Sequence, residues 1–593
     1  MGISSDFTLD LSVNPDFGQV EADPSVLNLT SFETFFEEKR PFFLEGNDVF
    51  DFELDGDVPY YSRRIGSAPN FSNPYTNWSV SDLPNRTTIL GAAKLSGKNK
   101  NGLSVGLVNG LTAAAYGTAY NESEAEKDIV VSPMSNYLAS RVKRDFKEGS
   151  TVFGGIFSLV NRFSSDSVSE LLLPSTAISG GLDLLQYWNN KNYFLEVKSI
   201  ASQLNGSKEA ILQKQLSNIH RYHRPDADYL EVDSLKEELG GYGGLVRIGK
   251  NGGQWNFHLQ GQFRSPGLDL NDVGYIRQSD FLGEEAQVSY EMNEPKKWIR
   301  SYYIMLSQEA LWSFGGENTG NTVRATLKLN NNKLWSFGIN SKYLFSILDT
   351  RELRGGPALR TDPLYLLGLS VESNSTKNLF GGISYDFSTM FMDNSFESSL
   401  MLSLTYLPVK RFRISGMAHL WHWQHPQLYV ASIAGSNNNE YVVGNIDRNT
   451  TSFTFRSELY LTPEMSIQFY GSPYYSVGSY DEFRRVDQSQ ARDITERLET
   501  LDLSYDEARN IFSYEKDTET YRFLNPDFSF IQFRTNLVFR WEYKLGSTLY
   551  FVWSHDRSGW ESAYNPIGDI AGDIFGIDGN HVFMLKANFW FSL

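Results

Sequence analysis

Three stretches of this 593-residue chain gather side chains that could do chemistry. RYHRPDADYLEVD, residues 221–233, sets Asp226, Asp228 and Glu231 beside Arg221 and Arg224. Paired carboxylates are what general acid–base cleavage of a glycoside requires, although a loop stabilised by its own ion pairs uses the same residues. NPDFGQVEADP, residues 14–24, offers Asp16, Glu21 and Asp23, hard oxygen donors of the kind calcium takes. Their spacing does not follow an EF-hand loop, which leaves turn and ion-pair roles as the simpler account. HLWHWQHP, residues 419–426, carries His419, His422 and His425. On a strand His419 and His425 share one side and His422 takes the other, so a three-histidine metal centre needs a bend. Trp421 and Trp423 fall opposite His422 and suit an interfacial aromatic belt. No GxSxG, HExxH, phosphate loop or dinucleotide fingerprint stands in a supporting context. The expectation is a non-enzymatic chain with no metal and no cofactor.

The elements that carry these residues are strands. Mean hydropathy is -0.36 and no uninterrupted apolar run of about 18 residues occurs, which argues against a helical membrane span. Aromatics reach 14%, glycines number 48, and the absence of cysteine excludes disulfides and thiolate metal sites. A net charge of -18 argues against nucleic acid as a partner. MGISSDFTLDL has neither a basic n-region nor an apolar h-region, so the chain is expected to have been trimmed of an upstream leader.

From about residue 88 onward the sequence alternates with a period of two. Trp255, Phe257, Leu259 and Phe263 fall on one face, against Asn256, His258, Gln260, Gln262 and Arg264 on the other. Residues 323–329 and 531–543 repeat the pattern, and long charged side chains recur on the polar face in mid-strand. Short polar turns such as KEGS near 147 and KNGG near 250 alternate with longer segments at 205–240, 265–280, 350–362, 422–449, 474–526 and 556–580. That sorting is the signature of an outer-membrane barrel. About 21 strands follow residue 88, and FTLDLSVN near the N-terminus supplies one more. The expected fold is an all-β, transmembrane antiparallel β-barrel of about 22 strands, divided into a first strand at 1–14, a plug or cap at 15–87 and the remaining barrel at 88–593. The aromatic-rich end, with Phe589, Phe591 and Leu593 on one face, is expected to serve as the signal read by the barrel-assembly machinery. In the 15–87 insertion, phenylalanines at 32, 35, 36, 42 and 43 suggest a small core. Glu37, Glu38, Lys39, Arg40, Glu45, Arg63 and Arg64 stand ready to pair with a polar barrel wall.

NPDFGQVEADPSVLNLTSFETFFEEKRPFFLEG, YYSRRIG at 60–66, RYHRPDADYLEVD and SPGLDLNDVGYIRQSD at 265–280 resemble a family of outer-membrane barrels of unknown function, found mainly in Bacteroidota. In that family the barrel usually follows a family-9-like carbohydrate-binding module, which is absent here. The resemblance implies location and shape, and brings no catalytic residues with it.

The expected setting is the bacterial outer membrane, with its lipid and the barrel-assembly machinery as partners. Surface lipoproteins or an upstream carbohydrate-binding module are further candidate partners. The expected function is a plugged channel for uptake or surface binding of oligosaccharides or peptides. The alternative is a non-conducting barrel that scaffolds surface lipoproteins or a secretion or outer-membrane assembly complex.

Overall fold

The computed structural model describes all residues except 1, 5, 15–24, 72–77, 122–125, 164–166, 391–394, 437 and 590–593. The fold is all-β, and among the described residues 24 strands belong to one large sheet. Two of them, Gly2–Ser4 and Leu498–Thr500, are three residues long; the other 22 begin with Phe7–Val13 and end with Asn580–Asn588. The chain divides into two compact units, described in turn.

The first unit comprises Met1–Phe17, Ser31–Ala286 and Ala310–Glu317. Phe7–Val13 pairs antiparallel with Ile89–Lys98, which pairs with Leu103–Thr112. Met134–Phe146, Thr151–Phe163, Thr176–Trp188, Tyr193–Asn205, Glu238–Lys250 and Trp255–Arg264 continue the meander. Its hairpins turn where polar residues tolerate positive φ, as Lys147, Glu148 and Gly149 do. Register aligns the apolar positions across strands: Leu95 opposite Leu107, Val105 opposite Val142, Val197 opposite Val246, Ile248 opposite Leu259. This face is open, with Leu107, Val142, Leu182, Val246 and Leu259 between 39% and 57% exposed. The opposite face carries Ala92, Ser104, Ala139, Ile156, Ser179 and Ile200, all buried. It is covered by residues 40–65, by the Lys208–Leu216 helix with its Ser207 cap, and by residues 265–280.

The second unit comprises Gly18–Thr30, Gln287–Glu309 and Asn318–Leu593. From Asn318–Asn331 the ladder passes through Ser336–Leu344, Leu364–Glu372, Leu379–Met390 and Phe396–Val409. It continues through Phe412–Ala434, Asn439–Thr462, Met465–Val486, Phe528–Lys544, Ser547–Glu561 and Asn580–Asn588. Again one face is apolar and open, running through Ile339, Ile383, Leu402, Phe453, Phe551 and Leu585. At the end of the chain Phe583 lies opposite Trp553 and Leu585 opposite Phe551, and Phe589 is exposed; Phe591 and Leu593 fall outside the described residues.

One expectation about the connections is corrected. Residues 422–449, and 474–526 as far as Val486, were expected as long loops, but they extend three strands of 22 to 24 residues. The alternating pattern breaks there because both faces are covered. The Ile511–Lys516 and Glu519–Leu524 hairpin packs Tyr514, Tyr521 and Phe523 on the Val442 side, while Leu353, Leu359 and Leu498 pack on the Val443 side. A strand buried on both faces loses its period-two signature.

Candidate functional site

The residues with the most specific surroundings lie where the insertion meets the first unit's small-residue face. RPFFLEGNDVFDFELDGD begins a short helix at Pro41–Leu44, with proline at its start, and passes into a 3-10 turn at Asn47–Phe50. Such irregular backbone exposes carbonyl oxygens that need donors. Its apolar side chains are deeply set. Phe43, Phe50 and Ile65 pack on Ile89, Ala92, Val108 and Ala139, and Phe52 and Leu54 pack on Ile156, Ile200, Leu268 and Ile276. Glycines in the wall make room: a Cβ at Gly106 would sit 2.9 Å from the Phe50 ring, and one at Gly181 would sit 2.6 Å from the Phe52 ring.

Four strands of the wall then send cations to the insertion's main chain. Lys94, 2% exposed, donates to the Phe42 carbonyl and, at 2.7 Å, to the Glu45 carbonyl, with the Asp10 carboxylate 3.5 Å away. Lys143 donates to the Asp48 carbonyl at 3.3 Å and Lys198 to the Glu53 carbonyl at 2.8 Å. Arg264, fully buried, donates to the Leu54 carbonyl and to the Asp57 carboxylate at 2.8 Å; the neighbouring Gln262 donates to Asp55 at 2.7 Å. Burial pushes the Asp57 carboxyl up to about 6, against the opposing pull of Arg264.

The charged residues expected to pair with the wall mostly pair within the insertion. Glu38 takes a bidentate contact from Arg40 at 2.8 and 2.7 Å, and Arg40 also donates to the Ile65 and Ser62 carbonyls at 2.7 Å. Burial alone would raise Glu38, but Arg40 and the Ser62 hydroxyl outweigh it and hold the carboxyl below its usual range. Arg63 donates to the Glu37 carbonyl, and Arg64 forms a bidentate pair with Glu33 at 2.8 Å while reaching the Gly274 carbonyl. Glu45 contributes its carbonyl, its side chain being exposed, and the Lys39 backbone N–H donates to Glu38. Asp16, Glu21 and Asp23 lie outside the described residues.

RYHRPDADYLEVD forms turns over the same unit. Arg224 joins Asp226 at 3.0 Å and takes both oxygens of Glu317 at 2.9 and 3.0 Å, while Tyr229 donates to Asp280 at 2.6 Å. Arg221 is buried, whereas Asp228 and Glu231 are exposed. The arrangement is that of a braced loop, with Asp226 and Glu317 both engaged by Arg224.

Sequence reading missed a buried charge cluster beside that loop. Lys214 bridges Asp269 at 3.0 Å and Asp272 at 2.8 Å, and Arg162 meets Asp272 at 2.7 Å. Burial by itself raises both carboxyls, but Lys214 leads the opposing charges and holds them below the usual range; those carboxylates in turn raise Lys214 against its own burial. His220 adds a Ser–His–Asp set by residue type, with Asp269 3.3 Å from Nε2 and the Ser279 hydroxyl 3.2 Å from Nδ1. It is not a nucleophile and base. Nδ1 lies 2.7 Å from the Pro266 carbonyl, which can only accept, so that nitrogen carries a proton and cannot take one from Ser279. Ser279 itself donates toward the Ile219 and Pro266 carbonyls, and serine and histidine are both shut from solvent.

In the second unit the histidines take separate partners. His419 meets Ser399 at 2.9 Å and His422 meets Asp447 at 3.1 Å, while His425 lies beside the Trp423 ring. Trp421 and Trp423 stack with ring centres 5.8 Å apart.

These features fall in a chain that belongs to the family described as a domain of unknown function, DUF5916, whose model matches residues 1–591. No curated protein matches the chain. Among solved structures it is similar to the FrpB iron transporter from Neisseria meningitidis, at 7% identity and a TM-score of 0.37, over 81% of this chain and 77% of that one. It is also similar to the siderophore receptor PirA from Acinetobacter baumannii, at 10% identity and a TM-score of 0.32, over 79% and 80% of the two chains. A third likeness is to a chain of the E. coli P pilus tip assembly intermediate PapC-PapD-PapK-PapG, at 9% identity and a TM-score of 0.32, over 85% of this chain and 62% of that one.

Proposed function

We propose that this chain is an outer-membrane β-barrel of about 22 strands, closed by its first and last strands, with the insertion docked inside as a plug. In this reading it takes up or binds oligosaccharides or peptides at the bacterial surface. The observation that carries the membrane assignment is the open apolar face repeated on strand after strand in each unit. In water so large a contiguous apolar surface would drive aggregation, whereas in a bilayer it is the surface that lipid requires. Residues 40–65 support the plug assignment, because they cover the other, polar and small-residue face.

The non-conducting scaffold stands as a second reading, favoured by the insertion's fully buried anchors and its carbonyls held by Lys94, Lys143, Lys198 and Arg264. Planar-bilayer conductance of the intact chain and of a variant lacking residues 31–80 separates the two. Current only after deletion identifies a plugged channel. Steady current from the intact chain makes the insertion a cap beside an open pore. Silence from both, with the barrel folded, favours the scaffold.

A further inference from the structure

The segment after Glu561 does not simply project from the sheet. Its helix Ile567–Ile570 and the following turn Asp573–Phe575 bury Ile570 and Ile574 against Tyr475, Val477 and Ile531. Register places those three strand residues on the apolar face: Tyr475 lies opposite Ile531 and Thr451, and two residues further along the same strand face lies Pro473, opposite Phe533. The segment therefore folds over the side that the membrane reading assigns to lipid, leaving an open cleft of about 500 Å³ beside it.

The cleft is amphiphilic along its length. Leu400 and Leu420, paired across neighbouring strands, give an apolar floor, with Tyr564 and Ile567 of the returning segment as its flank. Its other end is polar. Asp447 accepts from His422 at 3.1 Å, from Gln424 at 2.9 Å and from Asn449 at 3.2 Å, and His422 and Asn449 line the cleft. The change from apolar to polar comes at a telling depth. Leu420 is the ninth residue and His422 the eleventh of the strand that begins at Phe412 beside a short turn. A tilted strand crosses the hydrocarbon layer in about 9–11 residues, so the floor lies within the layer and the rim at its outer boundary. Among the described lining residues there is no Lys or Arg, and the polar end presents the His422 imidazole and the Asn449 amide, with the Asp447 carboxylate bonded to both. Such a rim matches hydroxyl groups rather than phosphate.

We infer that this cleft binds one glycolipid, its acyl chain along Leu400 and Leu420 and its sugar headgroup on the His422–Asp447–Asn449 rim. The inference rests on the outer-membrane reading. It assigns the returning segment a role in holding lipid at the barrel's flank, separate from anything that passes through the lumen.

Native mass spectrometry of the full chain released from detergent tests it, using a synthetic acylated glucosamine disaccharide and a phosphatidylethanolamine of equal acyl length as probes. One glycolipid per chain is expected to be retained, with about tenfold preference over the phospholipid. Leu420→Trp, which fills the floor, is expected to cut retention about tenfold. Leu404→Trp, on the same face but nearer the short turn, is expected to leave it unchanged, and Asn449→Ala to lower only the preference for sugar. Equal retention of both probes, or retention indifferent to Leu420→Trp, overturns the glycolipid site. Each protein is first checked for heat-modifiable migration in gels. A parent chain that lacks it refutes the membrane reading and this site together, whereas a folded barrel without selective retention refutes the site alone.

Discussion

Lys94 shows how a single side chain can fix an irregular segment. Its ammonium is nearly shut from solvent and satisfies carbonyls of Phe42 and Glu45 in the irregular segment. Lys94→Met keeps the length of the side chain but leaves those acceptors without a charged donor, at an expected cost of about 2–3 kcal/mol. If that cost falls on local opening, protease cleavage within residues 31–66 of the folded protein should rise roughly 30- to 150-fold. Unchanged cleavage would mean the aromatic packing holds the segment by itself. The sequence made Lys94 visible only as a polar position on an alternating strand. Its partner was hidden, because a main-chain carbonyl leaves no mark in a residue pattern. For the same reason Glu38 and Arg40 were recognised as charges in the right segment but assigned to the wrong partner, the wall instead of each other.

At the scale of elements, the wall's covered face had a signal in composition. Strands 103–112, 176–188 and 238–250 carry glycine, serine and alanine where a wet face would carry long polar side chains. Small residues there admit the Phe50 and Phe52 rings. Gly181→Val would place its branch where the Phe52 ring and the Ser199 carbonyl now sit, and overpacking of this kind costs about 1–3 kcal/mol. Gly261→Val meets open space and serves as the control. Amide hydrogen exchange should accelerate across residues 49–57 in the first variant and remain unaltered in the second. The three longest strands were less legible than the rest. Their upper parts are packed on both faces by segments that follow or precede them outside the ladder, and no local period records a contact of that kind.

For the whole molecule, the all-β class, the apolar last strand and the existence of a large insertion could all be read from the chain, because its strands repeat one period many times. What could not be read was the insertion's attachment, which is set by pairwise fit. The membrane reading has a direct check at this scale. Protein purified in detergent should migrate faster before boiling than after, and should precipitate when detergent is withdrawn. A soluble monomer without detergent would sink it.

The separation of partners along the chain has a consequence for how the molecule is made. Asp57 and Gln262's partner Asp55 meet strand residues 207 positions later, and Arg64 reaches Gly274 across 210. A segment rich in phenylalanine is thus synthesised long before the surface that receives it, and contacts so distant in sequence form slowly. During that interval its rings are as exposed as those of any unfolded chain. On the membrane reading, such a segment calls for a holding chaperone until the ninth strand arrives and the insertion can settle.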